Sequence, residues 1–400
     1  MIVIVYPQCH GVGGIARYLD GLLTNLPDDA PGIVVITGRD PHAPPGPALA
    51  WRGVEVVELP LPDHRAGLAL WSWRAAGVLR RLRREGRAQV VNLHTPPLIP
   101  ALFMPRSLPL VLTMHSTYVG LSGRYEDNRH FPNTWGPLEV ALKMRLERWL
   151  AARARTVITL TEQGRRELAC YGRHDRVAIV PNGVDTRTFS PGGDAPRDID
   201  VVFSGRIEVL KGSQALVQVC RQLVRLRPGI RLAIVGYGGQ EPRVRQALAP
   251  LSGNVVFAGR TPFSEMAAWY RRSRVYASTS FHEGLPSTCL EAMACGLPAV
   301  VWDRLFYRGL VDDGVTGCLV ETGHTEAMAR RLIALLDDPA QISAMGLAAR
   351  GAVQAGHDWR QLSRRVLEAC VQPPPQPSRA PQLPGAIAGA LDGVAGRALP

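Results

Sequence analysis

Short runs of β-branched and aliphatic residues alternate with longer amphipathic stretches along most of this chain, and they do so in two series. The first opens with "IVIVY" (2–6), followed by the helix-periodic "GGIARYLDGLLTNL" (13–26). Further strands are read at 32–38, 54–60, 88–94, 109–116 and 156–161, with helices at 69–86 and 138–154. The second series starts with "IDVVFSG" (199–205) and continues with strands at 230–238, 254–259, 274–280 and 298–302. Helices lie between them, and a helix over 325–339 closes the series. Strands that are apolar throughout are buried on both faces, which calls for parallel sheets covered by helices on either side. The expected fold is therefore α/β, with two Rossmann-like doubly wound domains facing a cleft. A boundary is expected in "PNGVDTRTFSPGGDAPRD" (181–198), rich in Pro, Gly and Asp. From 372 to 400 Pro, Gly and Ala dominate, and this tail is expected to be disordered.

Four hundred residues with 46% hydrophobic content suit two sizeable cores. The net charge of +12 favours acidic partners, whether nucleic acid, an anionic membrane or a phosphorylated substrate. Seven cysteines at irregular spacing include no CxxC pair, which argues against a zinc ribbon or a thioredoxin-type site. Several sit in apolar runs and read as buried thiols, which suggests a reducing compartment. The opening "MIVIVYPQ" lacks a basic segment and is too short for a secretory signal. No uncharged apolar run reaches the ~18 residues of a membrane-spanning helix. A cytoplasmic location is expected.

In a doubly wound sheet, ligands meet the carboxyl ends of strands, where helix N-termini point. Gly11, Gly13 and Gly14 lie in such a turn after the first strand. They read either as a tight β–α turn or as a seat for phosphate. Ala16 stands where the third glycine of GxGxxG falls, so a dinucleotide-dependent dehydrogenase stays open. Arg206 and Lys211 lie between a strand end and a helix start, with Ser213 available to cap the helix. Cations there are misplaced for the helix dipole; they read either as solvated surface charges or as partners of a bound diphosphate, which explains two converging cations better. In "FHEGLPSTCLEAMACGLPAV" (281–300), Thr288 and Glu291 fit a capping box. Capping leaves Glu283 unexplained. Two carboxylates offer paired acceptors to vicinal hydroxyls, as a ribose and a hexose would present. His115 ends a strand on the side of the cleft and reads as a site residue; His94 is a weaker case. "DID" (198–200) looks like a metal-binding DxD but precedes a strand and reads as a turn. The helix 69–86 carries Trp71 and Trp73 and ends, with Arg87 just beyond it, in Arg80, Arg81, Arg83 and Arg84. It reads either as a solvated face whose tryptophans pack inward or as an anionic-membrane contact.

The motifs "GGIARYLDGLL", "PNGVD", "SGRIEVLKG", "IVGYG", "FHEGLPSTCLEAMACGLPAVV", "DDGVTGCLV" and "ALLDDP" occur in an order and spacing that resembles the retaining glycosyltransferases of family 4, over residues 1–371. The resemblance implies the GT-B fold. It implies an N-terminal acceptor-binding domain (1–183) and a nucleotide-sugar-binding domain (184–356), with a helix (357–371) crossing back to the first. Arg206 and Lys211 would bind the donor diphosphate, Glu283 the donor sugar and Glu291 the ribose. Gly284, Leu285, Pro286 and Ser287 would meet the sugar and phosphates. Gly13 and Gly14 would line the phosphates from the first domain, with His115 beside the sugar. This chain departs from the family in having Ser116 after that histidine, and Arg308-Gly309 where many members have Pro-Glu.

The implied activity is retaining transfer of a hexose-type sugar from a nucleoside-diphosphate sugar, UDP-sugar before GDP-sugar on family frequency, to an acceptor hydroxyl. Polysaccharide or glycoconjugate synthesis is the implied setting. No cofactor and no metal are expected, because cations and helix amides meet the leaving diphosphate. The acceptor is unknown; a lipid-linked or polysaccharide one fits the basic helix, with a peripheral contact at an anionic membrane surface and no nucleic acid. The alternatives are a non-catalytic nucleotide-sugar or membrane-binding module on the same fold and, further off, the dehydrogenase.

Overall fold

The computed structural model describes residues 1–10, 13–39, 49–63, 66–122, 136–172, 176–193, 196–284 and 286–372. Most of the expected tail, 373–400, lies outside them. The described residues divide into two units, one drawn from 1–122, 136–182 and 359–372, the other from 183–358.

The first unit runs β1 (Ile2–Val5), α1 (Gly14–Thr24), β2 (Ile33–Arg39), β3 (Val54–Pro60), α2 (Gly67–Arg84), β4 (Val90–Thr95), α3 (Ile99–Phe103) and β5 (Leu110–Met114). It continues with α4 (Tyr118–Leu121), α5 (Pro137–Arg153), β6 (Thr156–Thr159), α6 (Glu162–Ala169) and β7 (Val177–Ile179). All pairings are parallel, in the order β3-β2-β1-β4-β5-β6-β7. β1, β4, β5 and β6 are buried along their whole length, as strands covered on both faces must be.

The second unit runs β8 (Ile199–Ser204), α7 (Ser213–Leu226), β9 (Leu232–Val235), α8 (Glu241–Leu248), β10 (Val255–Gly259), α9 (Phe263–Arg271), β11 (Ser273–Ser278) and α10 (Ser287–Ala294). β12 (Ala299–Trp302), α11 (Leu305–Arg308), β13 (Gly317–Val320), α12 (Thr325–Leu336) and α13 (Pro339–Gly356) complete it. Its parallel sheet has the order β10-β9-β8-β11-β12-β13. Each sheet thus reverses its winding once, between β1 and β4 and between β8 and β11, the places where such folds open a crevice. The core of this unit joins Val201, Phe203, Val275 and Val300 from the strands to Leu216, Val219, Leu223, Met328 and Leu332 from α7 and α12.

The last helix, α14 (Trp359–Val371), belongs to the first unit. Trp359 is buried and stands edge-on to Tyr18 of α1, with ring centroids 4.9 Å apart. Ser363 donates to the Asn25 carbonyl (2.6 Å), and Arg364 forms a two-pronged pair with Asp29 (2.8 and 3.0 Å). Gly21 makes this docking possible: a Cβ there would lie 2.1 Å from the Trp359 indole nitrogen. All seven cysteines are free and buried.

Gly21→Ala is expected to destabilise the protein by about 1–3 kcal/mol through overpacking against Trp359. The helix-propensity gain of about 1 kcal/mol offsets part of this cost, leaving a net loss of up to about 2 kcal/mol. Chemical denaturation followed by circular dichroism checks it; an unchanged or raised midpoint would mean that the indole simply moves aside.

Candidate active site

In the second unit, the loops that follow β8 and β11 lie against each other at the switch point. After β8 the chain passes Gly205 and Arg206, makes a 3-10 turn at Val209–Lys211, and enters α7 through Gly212. Gly212 is left-handed, with φ +72°, and a Cβ on it would sit 1.9 Å from the Thr279 carbonyl oxygen. Only glycine meets both conditions without strain. Thr279 Oγ1 donates to the Gly212 carbonyl (3.1 Å), and the Phe281 amide donates to Leu210 O (3.0 Å).

This lacing carries Lys211 to the second loop. Its Nζ donates to the His282 carbonyl (3.2 Å) and forms an ion pair with Glu283. The Glu283 carboxylate also accepts from the Ser280 hydroxyl (2.9 Å). Arg206 is exposed and has no carboxylate partner among the described residues. The His282 ring is buried, and desolvation, then the Lys211 and Arg304 charges, push its pKa down to about 3. It is neutral, so it adds no charge to the cluster.

Gly284 and Pro286 lead into α10, whose N-cap is Pro286 and whose first residue is Ser287. Leu285 lies outside the described residues. The capping box expected of Thr288 and Glu291 does not form. Pro286 starts the helix two residues early, so Thr288 falls inside it and pairs with the Tyr276 hydroxyl (3.0 Å). Pro286, as N-cap, offers no side-chain cap. Glu291, 3% exposed, accepts from the Tyr270 hydroxyl (3.0 Å), which is in turn 2.9 Å from Ser204 Oγ at the end of β8. Ser213 likewise is the first helical residue and makes no cap, because Gly212 takes that position. Arg206, Lys211, Glu283, Gly284, Pro286, Ser287 and Glu291 therefore all belong to the two loops and one helix on either side of the β8/β11 switch.

Gly13, Gly14 and His115 belong to the first unit. Gly13 is the extended N-cap of α1, and both glycines are exposed, with space for a Cβ. Their own fold does not demand glycine, and its effect is a bare helix N-terminus. His115 follows β5 and is buried; its Nε2 lies 3.0 Å from His94 Nδ1 on β4. Tyr18, one turn into α1, stands edge-on to the His115 ring at 4.7 Å. Burial pushes His115 down to about 3, and burial followed by the His115 neighbour pushes His94 well below its ordinary value. Both rings are neutral, and the tautomer of one sets that of the other. His94, the weaker candidate by sequence, thus holds His115.

Two buried carboxyls hold the turn beyond His115. Glu147 of α5 accepts from the Tyr118 amide (2.7 Å) and the Tyr171 hydroxyl (2.5 Å). Glu167 of α6 accepts from Thr117 Oγ1 (2.6 Å), the N-cap of α4. Burial pushes Glu147 up to about 8, with Glu167 adding to the rise.

The "DID" carboxylates are spoken for: Asp198 pairs with Arg272 (2.6 and 2.9 Å), and Asp200 accepts from the Arg231 amide (2.9 Å) and pairs with Arg274. Arg308 holds Asp303 with two bonds (2.5 and 2.7 Å). Trp71 and Trp73 part company, as residues two apart on a helix do: Trp71 is buried and Trp73 exposed.

Residues 12–188 match the family model described as Glycosyltransferase Family 4, and residues 198–338 match that described as Glycosyl transferases group 1. D-inositol 3-phosphate glycosyltransferase 1 of Catenulispora acidiphila is 30% identical over 358 residues, 82% of this chain and 79% of that protein. This chain belongs to glycosyltransferase family 4. The D-inositol 3-phosphate glycosyltransferase of Pseudarthrobacter chlorophenolicus is 34% identical to this family 4 chain over 233 residues, 54% of the chain. Only 55% of that relative's own length is spanned. Among solved structures, sucrose-phosphate synthase from Thermosynechococcus elongatus superposes with a TM-score of 0.76 at 19% identity, covering 91% of this chain and 96% of that one. Anabaena HepE in complex with UDP and glucose gives 0.72 at 17% identity, covering 93% and 99%. These place the family 4 chain in the GT-B fold. Membership replaces the dehydrogenase alternative.

Glu147 supplies a pH test of the turn beyond His115. Its pKa is raised on folding, so its favourable contribution is full below the ordinary carboxyl range and is lost as pH rises through about 8. The melting temperature is expected to fall between pH 6 and 9, and to fall less in Glu147→Gln. Parallel curves for the two proteins would remove Glu147 as the titrating group.

Proposed function

We propose that this chain transfers a hexose-type sugar from a nucleoside-diphosphate sugar to an acceptor hydroxyl, with retention of anomeric configuration. The observation that carries the reading is the Lys211–Glu283 pair, in the same loops as Arg206, which has no carboxylate partner among the described residues, and as the start of α10, whose N-cap Pro286 offers no side-chain cap. A cation and a carboxylate side by side suit a ligand whose phosphates and sugar hydroxyls are adjacent.

Breaking the anomeric C–O bond puts positive charge on the sugar and negative charge on the departing diphosphate. Arg206, Lys211 and the first amides of α10 stabilise the diphosphate. Glu283, fixed by Lys211 and Ser280, accepts from donor-sugar hydroxyls. Glu291, oriented by Tyr270, accepts from the ribose. Donor binding is also the role assigned to Gly13, Gly14 and His115 of the first unit, and Gly284, Leu285, Pro286 and Ser287 are assigned to its sugar and phosphates. The leaving phosphate takes the acceptor proton on the face it leaves, which keeps the configuration without a separate base. No step is assigned to a metal.

UDP-sugar is the proposed donor. HepE was solved with UDP and glucose, whereas a Corynebacterium glutamicum relative, 28% identical over 221 residues, is named as GDP-mannose-dependent. A donor screen by mass spectrometry decides between them. A lipid-linked or polysaccharide acceptor is proposed, and D-inositol 3-phosphate, named in several relatives, belongs in the same screen.

Lys211→Ala and Glu283→Ala are each expected to cut turnover by about 10²–10³ fold while the far-ultraviolet circular dichroism spectrum stays that of the parent. Turnover near that of the parent in either variant removes the role given to that residue. Transfer is expected to survive excess EDTA; its loss, restored by a divalent cation, would reverse the metal-independent reading.

A further inference from the structure

The first unit presents an outward surface that the proposed chemistry does not use. α2, α3 and α5 make the connections β3→β4, β4→β5 and β5→β6, which all step the same way across the sheet. Right-handed crossovers put these three helices on one face and α1 on the other. Large apolar side chains stand open to solvent along this layer: Leu138 is 84% exposed, Leu142 68%, Trp73 59%, Leu102 51% and Trp149 43%.

On α5 the pattern is a stripe. Leu138, Leu142, Arg145 and Trp149 follow at helical spacing and are all exposed, while Val140, Glu147, Leu150 and Ala151 face inward. Arg148 lies beside the stripe and is also exposed. The stripe runs into α3. Arg153 of α5 donates to the Ala101 and Met104 carbonyls (3.1 and 2.7 Å), and its guanidinium lies 5.9 Å from the Trp149 ring. Burial, and then the neighbouring Arg106 charge, push Arg153 below its ordinary value. Arg106, Arg145 and Arg148 have no acidic partner among the described residues. Glu139, next to Leu138 at the start of the stripe, is held by Lys143 (2.6 Å).

We propose that this α3–α5 face is a docking surface for an anionic lipid membrane. Leu102, Leu138, Leu142 and Trp149 enter the headgroup region, and Arg106, Arg145 and Arg148 meet lipid phosphates. Exposed leucines and tryptophan interleaved with arginines that have no acidic partner among the described residues are the composition of an interfacial helix, apolar body inward and cations at the phosphate level. A nucleic acid would engage the cations and leave the leucines in water. A second copy of the chain would bring arginines against arginines. No single described helix is long and apolar enough to cross a membrane, and the contact proposed is a peripheral one. The inference deepens the glycosyl-transfer reading, on which it rests only for its meaning: this face is where a lipid-borne acceptor would be met.

Vesicle co-sedimentation of the full chain, without sugar donor, tests it. Binding to phosphatidylcholine vesicles containing a quarter phosphatidylglycerol is expected, with weaker binding to pure phosphatidylcholine. Arg106→Glu with Arg148→Glu, and separately Leu142→Asp with Trp149→Ala, are each expected to weaken binding about tenfold or more. The parent and both pairs should share one melting temperature. Equal binding by parent and variants, or no binding by the parent, overturns the proposal. So does concentration-dependent self-association of the parent that Leu142→Asp abolishes, which would make the face a contact between copies. Failure here with intact transfer to a soluble acceptor leaves the proposed activity standing. Lipid binding with no transfer to any acceptor separates the two the other way.

Discussion

The candidate site depends on one close approach, the backbone of Gly212 passing against the Thr279 carbonyl. It brings the loop after β8 under the loop after β11. Lys211 then reaches the His282 carbonyl and Glu283 without leaving its turn. A side chain at position 212 would separate the loops, and the cation and carboxylate would lose their common location. Backbone geometry thus sets the electrostatics, and Ser280 and Tyr270 refine it by fixing the two glutamates.

The first unit arranges its histidines by a different means. Its polar centre is neutral and buried: His94 and His115 share a hydrogen bond, Tyr18 covers them, and Trp359 covers Tyr18. Burial keeps both imidazoles uncharged at neutral pH. Neither imidazole therefore adds a charge to this part of the first unit. Glu147 and Glu167 hold the next turn from behind.

Most of the architecture was legible because buried parallel strands leave a strong signal: runs such as "IVIVY" and "IDVVFSG" have no other use. What escaped was weakly patterned. β7 has three residues, all half-buried at a sheet edge, and α13 is rich in Ala and Gly with little contrast between its faces. The site's charged residues were visible because Lys211 and Glu283 make no sense as caps. Their partners were not, since Ser280, Tyr270 and His94 matter only through contacts that the fold creates. The capping box misled for a local reason: Pro286, two residues ahead of Thr288, already begins the helix.

The return of α14 to the first unit has a consequence for how the polypeptide is made. On a ribosome, strands β1 to β7 emerge early, yet the cover over Tyr18 arrives only with Trp359, after the whole second unit has been synthesised. The early half must wait with a groove open on α1, while the later half, encoded without interruption, is free to finish first.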